Sequence, residues 1–148
     1  PMMMMQPTLE MAESYFKDRI STMIRDTPCL SAMIDEKSKT SGNTILQKNF
    51  SGGLLRGVGG NSPASLASRP MRDVYIDEED RTAKSAGKEG DPEKLAKRRQ
   101  TTFHDAKLVA GGTPVIKGAS KTEKGFEKGD QRRYMVACPI CETHISLE

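Results

Sequence analysis

The sequence of 148 residues has no Trp, only 5% aromatic residues and three Cys. Three cysteines are too few for a disulfide framework. The chain also lacks a secretory signal sequence and any apolar run of about 18 residues, so no transmembrane helix and no membrane partner are predicted. Together these features predict a protein of a reducing cytoplasm, with one domain that has its own hydrophobic core.

The sequence also has only a small excess of positive over negative charge. The formal net charge is +3 at pH 7, which is too small to indicate nucleic-acid binding by itself. The basic residues do cluster locally, as Lys94, Lys97, Arg98 and Arg99, then Lys117, Lys121, Lys124 and Lys128, then Arg132 and Arg133. Clusters of this size usually form solvated faces.

A phosphate-binding loop of the form G-x-x-x-x-G-K-[ST] is absent from the sequence. The glycines at 52–60 are not followed by Lys and a hydroxyl residue, and Gly87-Lys88 is followed by Glu89. The chain opens with Pro1 and four methionines, which is more typical of an interior strand than of a natural start. We therefore expect an internal piece of a larger protein.

The sequence does contain a short apolar strand that ends in acidic residues. Residues 74–76 are β-branched or aromatic, and residues 77–80 read D-E-E-D. In a nucleoside triphosphatase, Asp77 at such a strand end would hold Mg²⁺, and Glu78 would orient and deprotonate the attacking water. The same residues also fit a strand that runs into a solvated acidic turn, and a motif this short does not decide between the two.

Strands and helices are predicted to alternate around this acidic turn, defined as residues 77–80. Strands are predicted at 2–5, 44–50, 54–58, 71–76, 107–110 and 132–136, and helices at 9–25, 31–34, 63–67, 92–103 and 120–128. The polar segments 35–43 and 81–90 are predicted loops. This order indicates an α/β fold with a parallel sheet.

Four blocks carry a family resemblance. They are N-S-P-A-S-L-A-S-R-P-M-R-D-V-Y-I-D-E-E-D-R (61–81), S-A-G-K-E-G-D-P-E-K-L-A-K-R-R-Q-T-T-F (85–103), G-G-T-P-V-I-K-G-A-S (111–120) and G-D-Q-R-R-Y-M-V-A-C-P-I-C (129–141). In this order and spacing they resemble the ATPase domain of the phage terminase large subunit of the GpA type. The resemblance runs from about Gln6 to the end and is weakest in residues 27–50.

The resemblance implies the fold of a P-loop NTPase of the RecA or helicase-like type, truncated before the strand that carries the phosphate loop. Residues 1–137 would form a partial ATPase domain, with the Walker B motif at 71–80 and a coupling motif at 111–114. Residues 138–148 would begin a zinc-ribbon-like segment. The Q-P-T at 6–8 resembles the segment that links the nucleotide site of helicase-like ATPases to nucleic acid, although it also fits a plain β-α unit.

The resemblance also implies the function. In this family the ATPase powers packaging of double-stranded DNA into capsids, and a separate C-terminal endonuclease domain cuts the DNA. The implied cofactors are ATP and Mg²⁺. The implied partners are phage DNA, the terminase small subunit, the portal protein and further copies of the subunit, in the cytoplasm of the bacterial host. Without the phosphate loop, the chain alone is expected to hydrolyse ATP negligibly.

Further site residues follow from the same resemblance. Thr113 lies where helicase-like ATPases carry a polar residue that senses the γ-phosphate, although G-G-T-P is also good turn chemistry. Gly112 stands where a Ser is common in that motif. Arg81, Arg98 and Arg99 are candidates for contacting nucleotide or DNA phosphate, because Arg binds phosphate with two parallel hydrogen bonds.

The C-P-x-C at Cys138 and Cys141 is the first half of a zinc knuckle, with His144 as a weaker further ligand. A structural zinc site needs four ligands, and Cys29 is far away in sequence. In the family a second cysteine pair can follow downstream. Glu142 stands where a knuckle usually has Gly, which suits the tight turn. Zinc binding and a pair of reduced surface cysteines both stay open.

Two other functions also stay open. Residues 77–80 read D-E-x-D as well, which is typical of a helicase-like nucleic-acid-dependent ATPase, and a second RecA-like domain would favour that function. The other alternative is a non-enzymatic, zinc-dependent DNA- or protein-binding module with an incidental acidic turn. Stoichiometric zinc, with DNA binding unaffected by Asp77→Ala, would favour the module.

Overall fold

The four consecutive methionines lie in the central strand of a five-stranded sheet. In the computed structural model, which describes residues 1–35, 41–67 and 69–146, the strands of this sheet are β1 (Met2–Gln6), β2 (Gln47–Phe50), β3 (Gly53–Gly59), β4 (Asp73–Ile76) and β5 (Lys107–Ala110). Their order is β2-β3-β1-β4-β5. β1 pairs in parallel with β3 and β4, β4 pairs in parallel with β5, and β2 is antiparallel to β3. The predicted α/β fold with a mostly parallel sheet is confirmed.

Helices flank this sheet. The α-helices of the described residues are α1 (Leu9–Tyr15), α2 (Ser21–Asp26), α3 (Pro28–Met33), α4 (Pro63–Ala67), α5 (Pro92–Lys97) and α6 (Lys121–Lys128). A π-helical segment (Phe16–Ile20) joins α1 to α2, so the two form one helical rod, close to the predicted 9–25. Thr8 caps α1 by accepting a hydrogen bond from the Met11 backbone N–H at 3.2 Å.

Apolar side chains are buried on both faces of the sheet. One core lies beneath α4 and α5 and contains Met3, Met5, Val58, Leu66, Met71, Val74, Ile76, Ala86 and Ala96. The other lies beneath the α1–α2 rod and contains Phe16, Ile20 and Ile24, with Met4 among the residues packed against them. Successive methionines of β1 therefore contribute to different cores, because successive side chains of a strand point to opposite faces.

The helix predicted at 92–103 ends earlier in the structure. After α5 the chain continues as a 3₁₀ turn (Arg98–Gln100). The buried Gln100 side chain donates hydrogen bonds to the carbonyls of Arg72 at 2.8 Å and Lys107 at 2.6 Å. These carbonyls lie at the amino ends of β4 and β5, so the turn ties α5 to the start of two strands instead of extending the helix.

Several predicted strand ends also differ. The strands predicted at 44–50 and 71–76 begin later, at Gln47 and Asp73. In the second case the backbone N–H of Asp73 and that of the residue before it donate to the Pro1 carbonyl. The strand predicted at 107–110 is confirmed as β5. The predicted loop at 35–43 lies mostly outside the described residues.

A separate two-stranded sheet contains the cysteine pair. Its strands are β6 (Met135–Ala137) and β7 (His144–Ser146), which pair in antiparallel. The strand predicted at 132–136 is therefore shifted towards the cysteines, and β7 is an element that the sequence pattern did not predict. The hairpin places residues 138–143 in its connecting turn.

Candidate active site

The carboxyl ends of β1, β3, β4 and β5 meet at one edge of the sheet, because these strands are mutually parallel. Gln6 at the end of β1 pairs in register with Gly59 at the end of β3, and Met5 pairs with Ile76 at the end of β4. Gly111 follows β5, and its backbone N–H donates to the Ile76 carbonyl at 3.0 Å. This is the edge at which open α/β sheets bind their ligands, and the acidic turn begins there.

Asp77 is fixed in orientation by two hydrogen bonds. Its Oδ2 accepts from the Gln6 side-chain amide at 2.9 Å, and its Oδ1 accepts from the Glu78 backbone N–H at 3.0 Å. The Gln6 side chain is buried, and Asp77 is half-buried. Each carboxylate oxygen accepts one of these bonds and keeps a further lone pair. Asp77 therefore offers oriented hard oxygen atoms of the kind that Mg²⁺ prefers.

Glu78 has an unusual backbone conformation at the bend of the acidic turn. Its φ is 50° and its ψ is 49°, the left-handed region, which costs a residue with a side chain about 1–2 kcal/mol. The Oε2 atom lies 3.0 Å from Arg81 Nε, yet it is buried and accepts no aligned hydrogen bond from the described residues. A strained backbone and an unsatisfied buried carboxylate oxygen are features that concentrate at functional sites.

Glu79 points away from solvent, unlike its neighbours. Its backbone N–H donates to the Gly111 carbonyl at 3.0 Å, and its side chain is buried. Burial raises the pKa of Glu79, and the nearby carboxylate of Glu93 raises it further, against an opposing effect of Lys121. Glu79 therefore belongs to the packing beneath the acidic turn and not to its exposed surface.

Asp80 binds the amino end of α6. It accepts a hydrogen bond from the Ser120 hydroxyl, and its Oδ1 accepts from the backbone N–H groups of Lys121 at 2.6 Å and Thr122 at 3.3 Å. The Ser120 hydroxyl is the main cause that holds the pKa of Asp80 below its usual value. Sequence reasoning missed this contact between residues 40 positions apart.

Only half of a capping box forms at the start of α6. The Ser120 hydroxyl accepts from the Glu123 backbone N–H at 2.9 Å. The Glu123 carboxylate, however, accepts from the Gly118 backbone N–H instead of from that of Ser120. The Ser120 N–H donates to the Ile116 carbonyl at 3.0 Å. The amino end of α6 is thus capped by Ser120 from its own sequence and also by Asp80 from the acidic turn.

The segment with the candidate γ-phosphate sensor lies against the same turn. A Cβ atom at Gly112 would be 3.0 Å from the Glu79 backbone nitrogen and 3.1 Å from Glu78 Cα, which is tighter than most such contacts. This close approach gives a physical reason for Gly at a position where a Ser is common. Thr113 is the next residue, and its side chain is exposed.

The three candidate arginines lie at two different ends of the sheet. Arg81 lies on the acidic turn's side, beside Glu78. Arg98 is exposed in the 3₁₀ turn after α5, and Arg99 donates to the Ala67 carbonyl at 3.1 Å. The Arg99 carbonyl in turn accepts from the Met71 backbone N–H, ahead of β4. Only Arg81 is therefore brought to the edge that carries Asp77.

A cleft of about 640 Å³ lies among α5, β5 and α6. Its charged lining residues are Glu79, Asp91, Glu93, Lys121, Lys124 and Lys128. The Lys121 ammonium and the Asp91 carboxylate form an ion pair of 3.1 Å within it. Asp77, Glu78 and Thr113 do not line this cleft, so it is distinct from the edge described above.

The cysteine pair lies in a tight turn. The Cys138 backbone N–H donates to the Thr143 carbonyl at 2.9 Å, and the Glu142 N–H donates to the Cys138 carbonyl at 2.9 Å. Glu142 has a φ of 57°, so the position where a knuckle usually has Gly does adopt the left-handed conformation. Hydrogen bonds from Thr143 lower the pKa of the Cys141 thiol. His144 begins β7.

Two further observations concern the described part of the chain as a whole. Within residues 1–35, 41–67 and 69–146, no three His, Cys, Asp or Glu side chains gather in a way that could hold a metal ion. No helix in these segments combines the length and the apolar character needed to cross a membrane.

Comparison with known proteins gives a consistent result. The family model for the ATPase domain of the phage terminase large subunit gpA matches residues 1–148. The large terminase subunit of Enterobacteria phage P21 is 30% identical over 142 residues, which is 94% of this chain and 22% of that protein. The corresponding subunit of Escherichia phage lambda is 29% identical over 140 residues, 91% of this chain and again 22% of that protein. No solved structure matches the chain.

Proposed function

Because the chain belongs to the family of phage terminase large subunit ATPase domains, we propose that it works in an ATP-driven motor that packages double-stranded phage DNA into capsids. The chain spans 22% of the length of the two relatives described. The observation that carries the proposal is the pairing of an oriented Asp77 with a Glu78 whose Oε2 is buried and accepts no aligned hydrogen bond from the described residues, at the ligand-binding edge of a parallel sheet.

In this proposal Asp77 holds the magnesium ion of the bound nucleotide, directly or through water. Its two oxygens are aimed by Gln6 and by the Glu78 backbone, and this donor set fits a hard cation. Mg²⁺ bound with ATP supplies charge neutralisation of the phosphates. The protein contributes a carboxylate that does not need to reorient when the ion arrives.

Glu78 acts as the general base. The Glu78 Oε2 atom accepts no aligned hydrogen bond from the described residues, so it keeps lone pairs that can accept a proton from water. Arg81, whose Nε lies 3.0 Å from the Glu78 Oε2 atom, would orient this carboxylate or exchange it for a phosphate oxygen when nucleotide binds. Thr113, next to the closely packed Gly112, would sense the γ-phosphate.

The partners and location follow from the family. We propose phage DNA, the small terminase subunit, the portal protein and further copies of the large subunit as partners, in the cytoplasm of the bacterial host. The phosphate loop that would hold the β- and γ-phosphates is not part of these 148 residues. The 148-residue chain on its own is therefore expected to show negligible ATPase activity.

The test is ATP hydrolysis by the full-length terminase subunit that carries this domain, with and without double-stranded DNA. Glu78→Gln should lower kcat by about 10²-fold or more and leave ATP binding nearly intact, since a general base contributes about 10²–10⁴-fold. Glu89→Gln, an exposed acid in the loop after the turn, is the matched control and should behave as wild type. Undiminished turnover in Glu78→Gln would show that the acidic turn is not the catalytic centre.

A further inference from the structure

The segment of residues 111–120, which we call the Thr113 loop, is attached at both ends to the same acidic turn. At its start, the Gly111 carbonyl accepts from the Glu79 backbone N–H at 3.0 Å. At its end, Asp80 accepts from the Ser120 hydroxyl and from the backbone of Lys121 and Thr122. Two consecutive residues of the turn thus hold the two ends of a ten-residue loop.

Asp80 is the principal attachment at the carboxyl end of the Thr113 loop, where α6 begins. α6 has no buried residue, and its closest packing is against the 3₁₀ turn that contains Asp80 (Glu79–Arg81). A further polar attachment is the ion pair between Lys121 and Asp91 at 3.1 Å, formed by partly exposed side chains. A carboxylate that accepts three hydrogen bonds at a helix amino end is the stronger of the two contacts, because the bonds are charge-assisted and the helix dipole adds to them.

From this geometry we infer that Asp80 is a positioning residue for ATP hydrolysis, which keeps the Thr113 loop in place against Glu78. The inference rests on the proposed function, since it assigns Asp80 a role in the same site. Gly112 lies against the Glu78 backbone, so a shift of the loop would move Thr113 relative to Glu78. Asp80 itself is turned towards α6 and does not take part in the chemical step.

Replacement of Asp80 in the full-length terminase subunit tests the inference. Asp80→Ala should lower kcat by on the order of 10-fold to 100-fold, because small displacements of positioned groups cost about that much. The KM for ATP should stay within about twofold, since nucleotide-binding groups are unchanged. Asp80→Asn should restore most of the activity, because its amide oxygen can still accept from the backbone N–H groups of Lys121 and Thr122, and its NH2 group can donate to the Ser120 hydroxyl oxygen.

A matched control and a direct readout separate positioning from simple stability. Glu127→Ala removes an exposed acid from the same helix and should leave kcat and hydrogen exchange unchanged. In Asp80→Ala, the amides of Lys121 and Thr122 should exchange with solvent faster, while Asp80→Asn should keep most of their protection.

The outcomes are distinguishable. Faster exchange in Asp80→Ala with unchanged kcat would show that the contact only stabilises α6 and would overturn the inference. Equal losses of kcat in Asp80→Ala and Asp80→Asn would also overturn it. Normal turnover in wild type and in Glu78→Gln would instead contradict the proposed function, and the role of Asp80 would fall with it.

Discussion

The Gln6 side-chain amide donates a hydrogen bond of 2.9 Å to Asp77 Oδ2, across the carboxyl ends of two adjacent parallel strands. Gln6 is buried, and its backbone carbonyl accepts a hydrogen bond from the Gly60 backbone N–H at 2.8 Å. Gln6 therefore connects the Q-P-T segment at 6–8 to the carboxylate proposed to hold magnesium. The Q-P-T segment therefore contacts the acidic turn through its first residue.

Loss of this contact should weaken magnesium binding. In the full-length subunit, Gln6→Ala should raise the Mg²⁺ concentration needed for half-maximal ATPase activity by about 10-fold to 100-fold, as is typical when a group that orients a metal ligand is removed. Gln131→Ala, at an exposed position, should have no effect. A Gln6→Ala variant with the magnesium dependence of wild type would show that Asp77 needs no such support.

Glu79 should make stability depend on pH. Its pKa is higher in the folded protein, so folded chains bind more protons than unfolded ones. Stability is then greatest below the ordinary value of 4.5 and falls as pH rises through 4.5, until Glu79 has ionised in the folded state.

Thermal unfolding of Glu79→Gln checks this dependence. The variant should melt at a higher temperature than wild type near neutral pH, and at the same temperature at about pH 4, where the carboxyl is protonated in both states. In a domain of this size each kcal/mol corresponds to roughly 2–4 °C in Tm. The exposed Glu127→Gln should show no difference at either pH. A Glu79→Gln variant that melts lower near neutral pH would mean that the ionised side chain is stabilising.

Two glycines should respond in opposite directions to replacement by Ala. A Cβ atom at Gly59 would lie 2.4 Å from the Leu9 backbone nitrogen, which has little freedom to move, so Gly59→Ala should destabilise the fold by about 1–3 kcal/mol. A Cβ atom at Gly125 in α6 would meet nothing within 4 Å, so Gly125→Ala should stabilise the helix by roughly 0.5–1 kcal/mol. Denaturant unfolding measures both. Equal effects would contradict the close packing of β3 against the start of α1.

The cysteine hairpin predicts a dependence of zinc binding on chain length. The described residues bring Cys138 and Cys141 into one turn, and these are two of the four ligands that a structural zinc site needs. If the rest of the full-length subunit supplies the second cysteine pair that the family resemblance implies, that protein should hold one zinc that is lost in Cys138→Ser, whereas the 148-residue chain should lose zinc on gel filtration. Metal analysis of both proteins decides the matter. Zinc retained in the Cys138→Ser variant of the full-length subunit would place the metal elsewhere.

The parts of the fold that sequence could predict are those governed by local patterns. The strand at Lys107–Ala110 and the helix at Pro63–Ala67 were predicted at their observed positions, because apolar spacing and capping residues determine them within a few neighbours. The central position of β1 in the sheet depends on strand pairing between distant residues. Nothing within Met2–Gln6 specifies that pairing.

The same distinction applies to the candidate site. Sequence reasoning singled out Asp77 and Glu78, because acids after an apolar strand are a local signal. It could not assign different environments to Glu79 and Asp80, since these depend on a left-handed bend at Glu78 and on a helix 40 residues away. The start of α6 at Ser120 was itself predicted, but its acidic partner was not.

Oxidation of the methionines in the central strand should report whether the sheet is intact. Met3 and Met5 are 0% and 1% exposed, whereas Met23 and Met33 are 47% and 53% exposed. Peroxide should convert exposed methionines such as Met23 and Met33 to sulfoxides while the sheet is intact, and should reach Met3 and Met5 only when the sheet opens. A sulfoxide at Met3 or Met5 would place a polar group in the core beneath α4 and α5, so oxidative damage that reaches these residues should prevent the sheet from closing again.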